Sequence, residues 1–384
     1  MKILHTSDWH LGHVLYNHSR AEEQTCMLQQ MTDIVSKEQP DAFVLSGDIF
    51  HTGQPSSAVQ KMYVDALVAI HIACPSMSIV CTAGNHDSAS VHEIFHRPWL
   101  CMNVHSIGML DKACPENHIV RIPGKGYIVA LPYCYECNLP DGFIQGLLNR
   151  VASENTRDLP VILMAHITLE NADLTGHLMG GNAPVGGIDT IGLSQMGHGY
   201  DYLALGHIHH AQWVKGSDGH ARYCGSPLPV SFDETYEHSV SIVSLDKHGD
   251  APQLRVIPIS NPYPLVNIPT QGFVCWEEAK RLLQQFPQDI HAYIRLNVLK
   301  DGYVPDNAAN EANMLIQDKT CAFCFVNCKA PEGRGEEVAT MSVEEFREES
   351  PLAIAHRYAK RQGGEFDSVM EKLLNQVIKS ITEE

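Results

Sequence analysis

The sequence predicts an α/β fold: a four-layer sandwich of two mixed β-sheets flanked by helices, followed by a small α/β unit and a helical C-terminal tail. Three observations carry this. Short apolar runs alternate with segments of helical periodicity, as at 42–45, 59–70 and 79–81. Five of these runs stop abruptly at Asp, Asn or His, and the carboxyl ends of strands are where open α/β sheets hold their ligands. A stretch punctuated by proline, Asn261-Pro262-Tyr263-Pro264, then divides the chain into 1–262 and a smaller remainder.

Taken in order, Ile3 to His10 (ILHTSDWH) is a strand ending in D-x-H. Arg20 to Glu38 reads as a helix, because Leu28, Met31 and Val35 share a face and Pro40 stops it. Ala42 to Leu45 is a run without alternation, which suits a strand covered on both faces, and Ser46-Gly47 turns it onto Asp48, with His51 three residues further on. Val59, Met62, Tyr63, Ala66, Leu67 and Ile70 form a wide apolar stripe on a helix over Ser56 to His71. The next strand ends in Gly84-Asn85-His86-Asp87. Two successive strand-helix-strand units imply a parallel sheet with right-handed crossovers.

Residues 103–132 contain shorter β-like runs, 141–154 reads as a helix, and Val161 to His166 is a strand ending in histidine. Gly176 to Gly199 holds eight glycines and little periodicity, so it reads as a surface loop overhanging the strand ends. The strand at Tyr202 to Leu205, which runs into His207 and His209, the turn to Cys224 and a strand at Val240 to Leu245 are expected to make the second sheet. Beyond the proline punctuation, helices at 276–285 and 307–318 and strands at 292–298 and 321–327 make a small α/β domain over 263–340. In the tail, 341–384, Ser342 with Glu345 and Ser368 with Glu371 form capping patterns. Val369, Met370, Leu373, Leu374, Val377, Ile378 and Ile381 fall on one face of the last helix.

The bulk properties are those of a globular protein, 44% hydrophobic and 19% charged over 384 residues, with no stretch approaching the apolar length of a membrane span. The chain opens on a strand without a basic and apolar leader pattern, from which a cytoplasmic protein is expected. Twelve scattered cysteines then read as reduced thiols, including Cys134, Cys137, Cys321, Cys324 and Cys328. The net charge of −18 opposes non-specific affinity for nucleic acid, which rests on Lys and Arg displacing counterions.

Any one of the 22 histidines taken singly reads equally well as a surface or buried polar residue. The set does not. Asp8, His10, Asp48, Asn85, His166, His207 and His209 stand at five successive strand ends, so one sheet edge is expected to gather them. That many oxygen and nitrogen donors suit two ions, with Asp48 bridging. A histidine-rich set without thiolates fits Mn²⁺ or Fe²⁺ better than a structural zinc. Two carboxylates and a bridging hydroxide leave two divalent ions with about one positive charge, which matches a phosphodiester monoanion.

This ordered set resembles the calcineurin-like metallophosphoesterases. The segments ILHTSDWHLG, GDIFHTG, GNHDS, LGHIHHAQ and RYCGSPLPVSFDE (Arg222 to Glu234) resemble, within them, the SbcD family of nuclease subunits. The resemblance covers about the first 260 residues well and the remainder only in layout. It implies a DNA exonuclease and endonuclease acting on double-stranded ends and hairpins in repair, recombination and replication. Also implied are two divalent ions (Mn²⁺, with Mg²⁺ or Fe²⁺ as alternatives), an SbcC-type coiled-coil ATPase partner gripped by the tail, a homodimer within a heterotetramer, a cap role for 263–340 and a place at the nucleoid. By the family pattern, metal one takes Asp8, His10, Asp48 and His209, and metal two takes Asp48, Asn85, His166 and His207. His86 is the expected catalytic residue, with Asp87 orienting it and His51 as a second residue facing phosphate. His209 is preferred to His210 because the G-H-x-H spacing puts it on the same face as His207. Ala165 stands before His166 where the family often has glycine. The rival readings are a phosphomonoesterase or small-molecule phosphodiesterase of the same superfamily, and a non-catalytic module binding DNA or an ATPase.

Overall fold

The structure, a computed structural model, describes residues 1–135, 138–176, 190–300, 304–330, 352, 356 and 370–374. It forms two compact units, Met1–Lys329 and Ala330–Glu384. The strands and helices of the first, in chain order, are β1 (Lys2–Thr6), β2 (Val14–Leu15), β3 (His18–Ser19), α1 (Ala21–Glu38), β4 (Ala42–Ser46), α2 (Ser57–Ala73), β5 (Ser78–Thr82), α3 (Ala89–Trp99), β6 (Val104–Ile107), β7 (Ile119–Ile122), β8 (Gly126–Ala130), α4 (Phe143–Glu154), β9 (Val161–His166), β10 (Thr168–Leu169), β11 (Thr190–Ile191), β12 (Tyr202–Gly206), β13 (Gln212–Trp213), β14 (Ala221–Tyr223), β15 (Ser239–Ser244), β16 (Gln253–Pro258), β17 (Leu265–Ile268), α5 (Trp276–Gln285), β18 (Tyr293–Leu299), α6 (Ala308–Leu315) and β19 (Ala322–Lys329).

Two six-stranded sheets stack face to face. The first has the order β16-β15-β1-β4-β5-β6, with β1, β4, β5 and β6 parallel and β15 antiparallel to β1. The second has the order β13-β14-β12-β9-β8-β7, parallel through β14, β12, β9 and β8 with an antiparallel strand at each edge. Side chains alternate across each strand, so a fully apolar strand serves two cores at once. Leu4, Phe43, Leu45 and Ile79 face α1, α2 and α3. Ile3, Ala42, Val44 and Val80 face the second sheet and meet Ile162, Met164, Tyr202 and Ala204. The far side of that sheet packs Leu163, Leu203 and Leu205 on Ile144, Leu147, Leu148 and Val151 of α4. The four layers expected from the sequence are therefore present.

One expectation is corrected. The strand at 240–245 does not join the second sheet: Ser241, Ile242 and Val243 pair with His5, Leu4 and Ile3, and so extend the first sheet beyond β1. Nothing in local periodicity distinguishes these partners, because both sheets offer an apolar neighbour. The helix α3 is not among the elements read from the sequence, and Pro98, which disfavours a helix interior, lies within it. Pro98 stands in the last turn, and His92 anchors the helix to β6 through its Nδ1, 2.9 Å from Ser106 Oγ.

The division expected at 262/263 falls within the first unit. Residues 265–329 contribute a three-stranded parallel sheet, β17-β18-β19, covered by α5 and α6 with its own core of Trp276, Leu283, Ile294, Leu296 and Phe323. The strand β17 is likewise not among the expected elements. Cys321, just before β19, is buried, whereas on the strand itself Cys324 is half-buried and Cys328 exposed. In the glycine-rich segment, β11 pairs with β10 in parallel, whereas 177–189 lie outside the described residues, as does Cys137. Of the expected tail helices only 370–374 are described as a helical stretch, where Met370 and Leu373 are exposed. Leu374 is half-buried; the rest of that apolar stripe, and both capping patterns apart from Glu371, lie outside the described residues. Among the described residues, no helix is long and apolar enough to cross a membrane.

Candidate metal centre

The pairing of β1 with β4 continues past both strands into the loops that follow. Asp8 N donates to Gly47 O (3.0 Å), His10 N to Asp48 O (3.0 Å), Leu11 N to Ile49 O (2.9 Å) and His51 N to Leu11 O (3.0 Å). These bonds hold the D-x-H and G-D segments side by side. Asp8, His10, Asp48 and His207 all adopt left-handed backbone (φ 54°, 45°, 51° and 93°), a strained choice for residues with side chains and one that concentrates at functional sites. The room this needs is kept by missing side chains. A Cβ on Gly84 would lie 2.1 Å from Asp48 Oδ1, and one on Gly206 would lie 1.9 Å from Ser46 O.

The expectation of one sheet edge is corrected here. Asp8, His10, Asp48 and Asn85 follow strands of the first sheet, while His166, His207 and His209 belong to the ends of β9 and β12 in the second. The cleft lies between the carboxyl ends of two stacked sheets, which is why all seven residues can converge. In one group, ligand atoms of Asp8, His10 and His209 lie within 4.8 Å of one another; in another, those of Asp48, His166 and His207 do. Asn85 Oδ1 is 3.1 Å from His166 Nε2 and 3.0 Å from His207 Nδ1. The Asp48 carboxylate reaches both groups, with Oδ1 3.4 Å from His166 Nε2 and Oδ2 3.7 Å from His10 Nε2.

This donor set fits cations. His166 Nδ1 donates to Ser46 O (2.8 Å) and His209 Nδ1 donates to Glu234 Oε1 (2.9 Å), which turns the Nε2 lone pair of each ring into the cleft. There His209 Nε2 faces His10 Nε2 at 3.2 Å, and His166 Nε2 faces the Asn85 and Asp48 oxygens. Lone pairs converging in this way need a positive charge among them. In the metal-free protein protons supply part of it: burial opposes charging of His166 and His209, but Asp48 for the first and Glu234 for the second outweigh it and raise each imidazole to about 9. Burial likewise works to raise Asp48, yet His166 and His10 hold it well below the usual carboxylate range. Burial raises Asp8 and lowers His10 well below the usual imidazole range.

Residues 1–211 match the family model described as calcineurin-like phosphoesterase. The chain belongs to the calcineurin-like phosphoesterase family. Among curated relatives in it, the chain is 31% identical over 303 residues to the SbcD component of the SbcCD nuclease of Rhodobacter capsulatus, covering 71% of this chain and 72% of that protein. It is 30% identical over 327 residues to the Bacillus subtilis protein of the same name (78% and 79% covered) and 28% identical over 333 residues to that of Escherichia coli (80% of each).

Three further histidines flank the centre of this phosphoesterase. His86 N donates to Asp48 Oδ1 (2.9 Å) and its Nδ1 donates to His51 O (2.9 Å), which leaves Nε2 for chemistry. Its ring stands edge-on to His10 at 4.9 Å and stacks with His51 at 5.6 Å, and His13 lies 4.4 Å beyond His51. The expected orienting role of Asp87 is corrected. Its side chain is fully buried and accepts from Gly84 N (2.9 Å), Phe50 N (2.8 Å) and Ile49 N (3.1 Å). Asp87 therefore shapes the loop that carries Asp48, and the His51 carbonyl orients His86 instead. His210 stacks on Tyr236 at 4.4 Å and sits 3.5 Å from Asp173, outside both ligand groups. Glu234, the residue behind His209, does not stand out in the sequence beyond its place in RYCGSPLPVSFDE. A buried acid 25 residues from its histidine has no local signal, although Val230 N (3.1 Å) and Ser226 Oγ (3.4 Å) fix it in place.

Proposed function

We propose that this chain is a metal-dependent nuclease that hydrolyses DNA phosphodiesters at the cleft between the two sheets. The observation that carries the reading is the pair of ligand groups joined by one carboxylate, Asp48, with His86 beside them. In it, Asp8, His10, Asp48 and His209 hold one divalent ion, and Asp48, Asn85, His166 and His207 hold the other, Mn²⁺ in preference to Mg²⁺ or Fe²⁺. Bound there, the pair supplies a Lewis-acid field that lowers the pKa of water and offsets charge growing on phosphorus. Neutral Asn85 and imidazole ligands keep that field positive, where further carboxylates would cancel it. His51 and His86 form the wall facing the phosphate, and His86, oriented through Nδ1, donates a proton from Nε2 to the departing oxygen.

The relatives' name, which makes each the SbcD component of an SbcCD nuclease, supports a place for this chain in a complex with an SbcC-type ATPase. A partner enclosing DNA answers the net charge of −18, and the exposed apolar face at Met370 and Leu373 supports a docking role for the 341–384 segment. Exposed Ile72, Ile94, Leu100 and Met109, on and beside α2 and α3, support self-association as a homodimer. In this reading residues 263–340 act as the cap that selects DNA ends and hairpins, and the protein works in the cytoplasm at the nucleoid. The test is digestion of an end-labelled hairpin duplex with Mn²⁺, with and without EDTA, and with and without a coiled-coil ATPase and ATP. Metal-dependent cleavage that the ATPase and ATP stimulate is expected. Undiminished cleavage after exhaustive chelation, or none under any condition, overturns the reading.

A further inference from the structure

The hairpin β2–β3 joins the loop bearing His10 to α1, and its two tip residues, Tyr16 and Asn17, both adopt left-handed backbone (φ 46° and 70°). Asn tolerates that region, but a bulky aromatic there is a strained choice. Positive φ at both tip residues is the type I′ geometry that closes a two-residue hairpin, and the legs of the hairpin are clamped besides. Buried Arg20, paired with Glu23, donates from Nη1 to His13 Nδ1 (3.1 Å) and Pro229 O (2.6 Å). Tyr293 Oη donates to Ser19 O (3.2 Å), His18 Nε2 donates to Phe323 O (3.0 Å), and Leu15 is buried against Phe232 and Tyr293. With the legs fixed, Tyr16 still stands 48% exposed. Its ring stacks on Phe325 (4.3 Å, 25°), with Arg295 packed on Phe325 and on Phe232.

A rigid, flat aromatic surface thus projects from the same short segment as His13, whose ring lies against His51 at the phosphate-facing wall. An acidic chain has little electrostatic hold on a nucleic-acid strand, whereas stacking needs no charge and tolerates any base. We propose that Tyr16, backed by Phe325, is a stacking platform for an unpaired nucleobase next to the phosphate held at His51 and His86. This rests on the nuclease reading above and adds to it a contact with the base.

The test uses the full chain with Mn²⁺ and compares wild type, Tyr16→Ala and Tyr16→Phe. The substrates are an oligomer of abasic deoxyribose phosphates, a diester that carries no base or other aromatic ring, a single-stranded oligonucleotide, and the same oligonucleotide with one abasic nucleotide moved along it. Tyr16→Ala is expected to raise the oligonucleotide KM by roughly 5- to 100-fold, the range for losing one aromatic stacking partner. Tyr16→Phe restores it, and all three proteins cleave the base-free diester alike. An abasic nucleotide at one position penalises wild type but adds nothing in Tyr16→Ala. An unchanged KM, a flat abasic scan, failure of Tyr16→Phe to rescue, or an equal loss on the base-free diester overturns the platform while leaving the nuclease reading intact. If wild type cleaves neither the diester nor the oligonucleotide, the nuclease reading fails and the platform with it.

Discussion

Glu234 accepts the Nδ1–H of His209 at 2.9 Å, across 25 residues of sequence, and so aims the other ring nitrogen at the cleft. A carboxylate behind a ligating imidazole fixes its tautomer and raises its basicity, and losing such a partner typically costs about 10- to 100-fold in metal affinity. Glu234→Gln should therefore weaken one of the two ions by that factor and spare the other. Titration with Mn²⁺ followed by electron paramagnetic resonance would resolve the two sites. Equal weakening of both, or of neither, would show that Glu234 does not act through His209.

Asp48 stands between the groups while His10 belongs to one of them, so their removal should differ in stoichiometry. Asp48→Ala is expected to bind neither ion tightly, and His10→Ala to keep one. Elemental analysis of dialysed, Mn²⁺-loaded protein distinguishes these results. The same metal content in both variants removes the bridging assignment.

His86 hydrogen-bonds Asp48 through its backbone N–H, and its ring stands edge-on to His10 but is a member of neither of the two ligand sets, so deleting the ring leaves both sets whole. His86→Ala should retain both ions and lose turnover by about 10²- to 10⁴-fold, the usual cost of one general acid. A variant that loses metal together with activity would instead make His86 a ligand.

His5 lies fully buried between the sheets, with Nδ1 2.9 Å from Tyr202 Oη and Nε2 3.3 Å from Ser46 Oγ. Burial, helped by the Arg222 guanidinium, lowers its pKa to about 3, against 6.5 for the unfolded chain. Because the folded value is the lower one, the unfolded chain binds the proton first. The stability from keeping His5 neutral is complete above pH 6.5 and is lost progressively as pH falls towards 3, amounting to at most about 5 kcal/mol at the acid end. His13, lowered to about 3 chiefly by burial and Arg20, adds in the same direction. Urea midpoints of metal-free protein should fall between pH 7 and pH 5, and His5→Gln should show a shallower fall from a lower starting stability. An unchanged slope in that variant would exclude His5 as a source of acid sensitivity.

Local sequence dictates the elements and the donors. Unbroken apolar runs such as 42–45 are strands because only burial on both faces accommodates them, and abrupt stops at Asp8, Asp48, Asn85, His166 and His207 mark strand ends, since polar donors cannot continue an apolar layer. Which ends meet is a matter of tertiary structure. Strand pairing depends on partners far apart in the chain, and local periodicity is the same whether 239–244 lies beside β1 or in the second sheet; pairing of β1, β4 and β5 in one sheet and of β9 and β12 in the other puts the cleft between them. The supporting contacts belong to the same level: Asp87 bracing the Asp48 loop, His51 O turning His86, and Glu234 behind His209. Those contacts are single hydrogen bonds between distant segments. A pattern repeated along one strand or helix leaves a period in the sequence, and a lone bond across the fold leaves none.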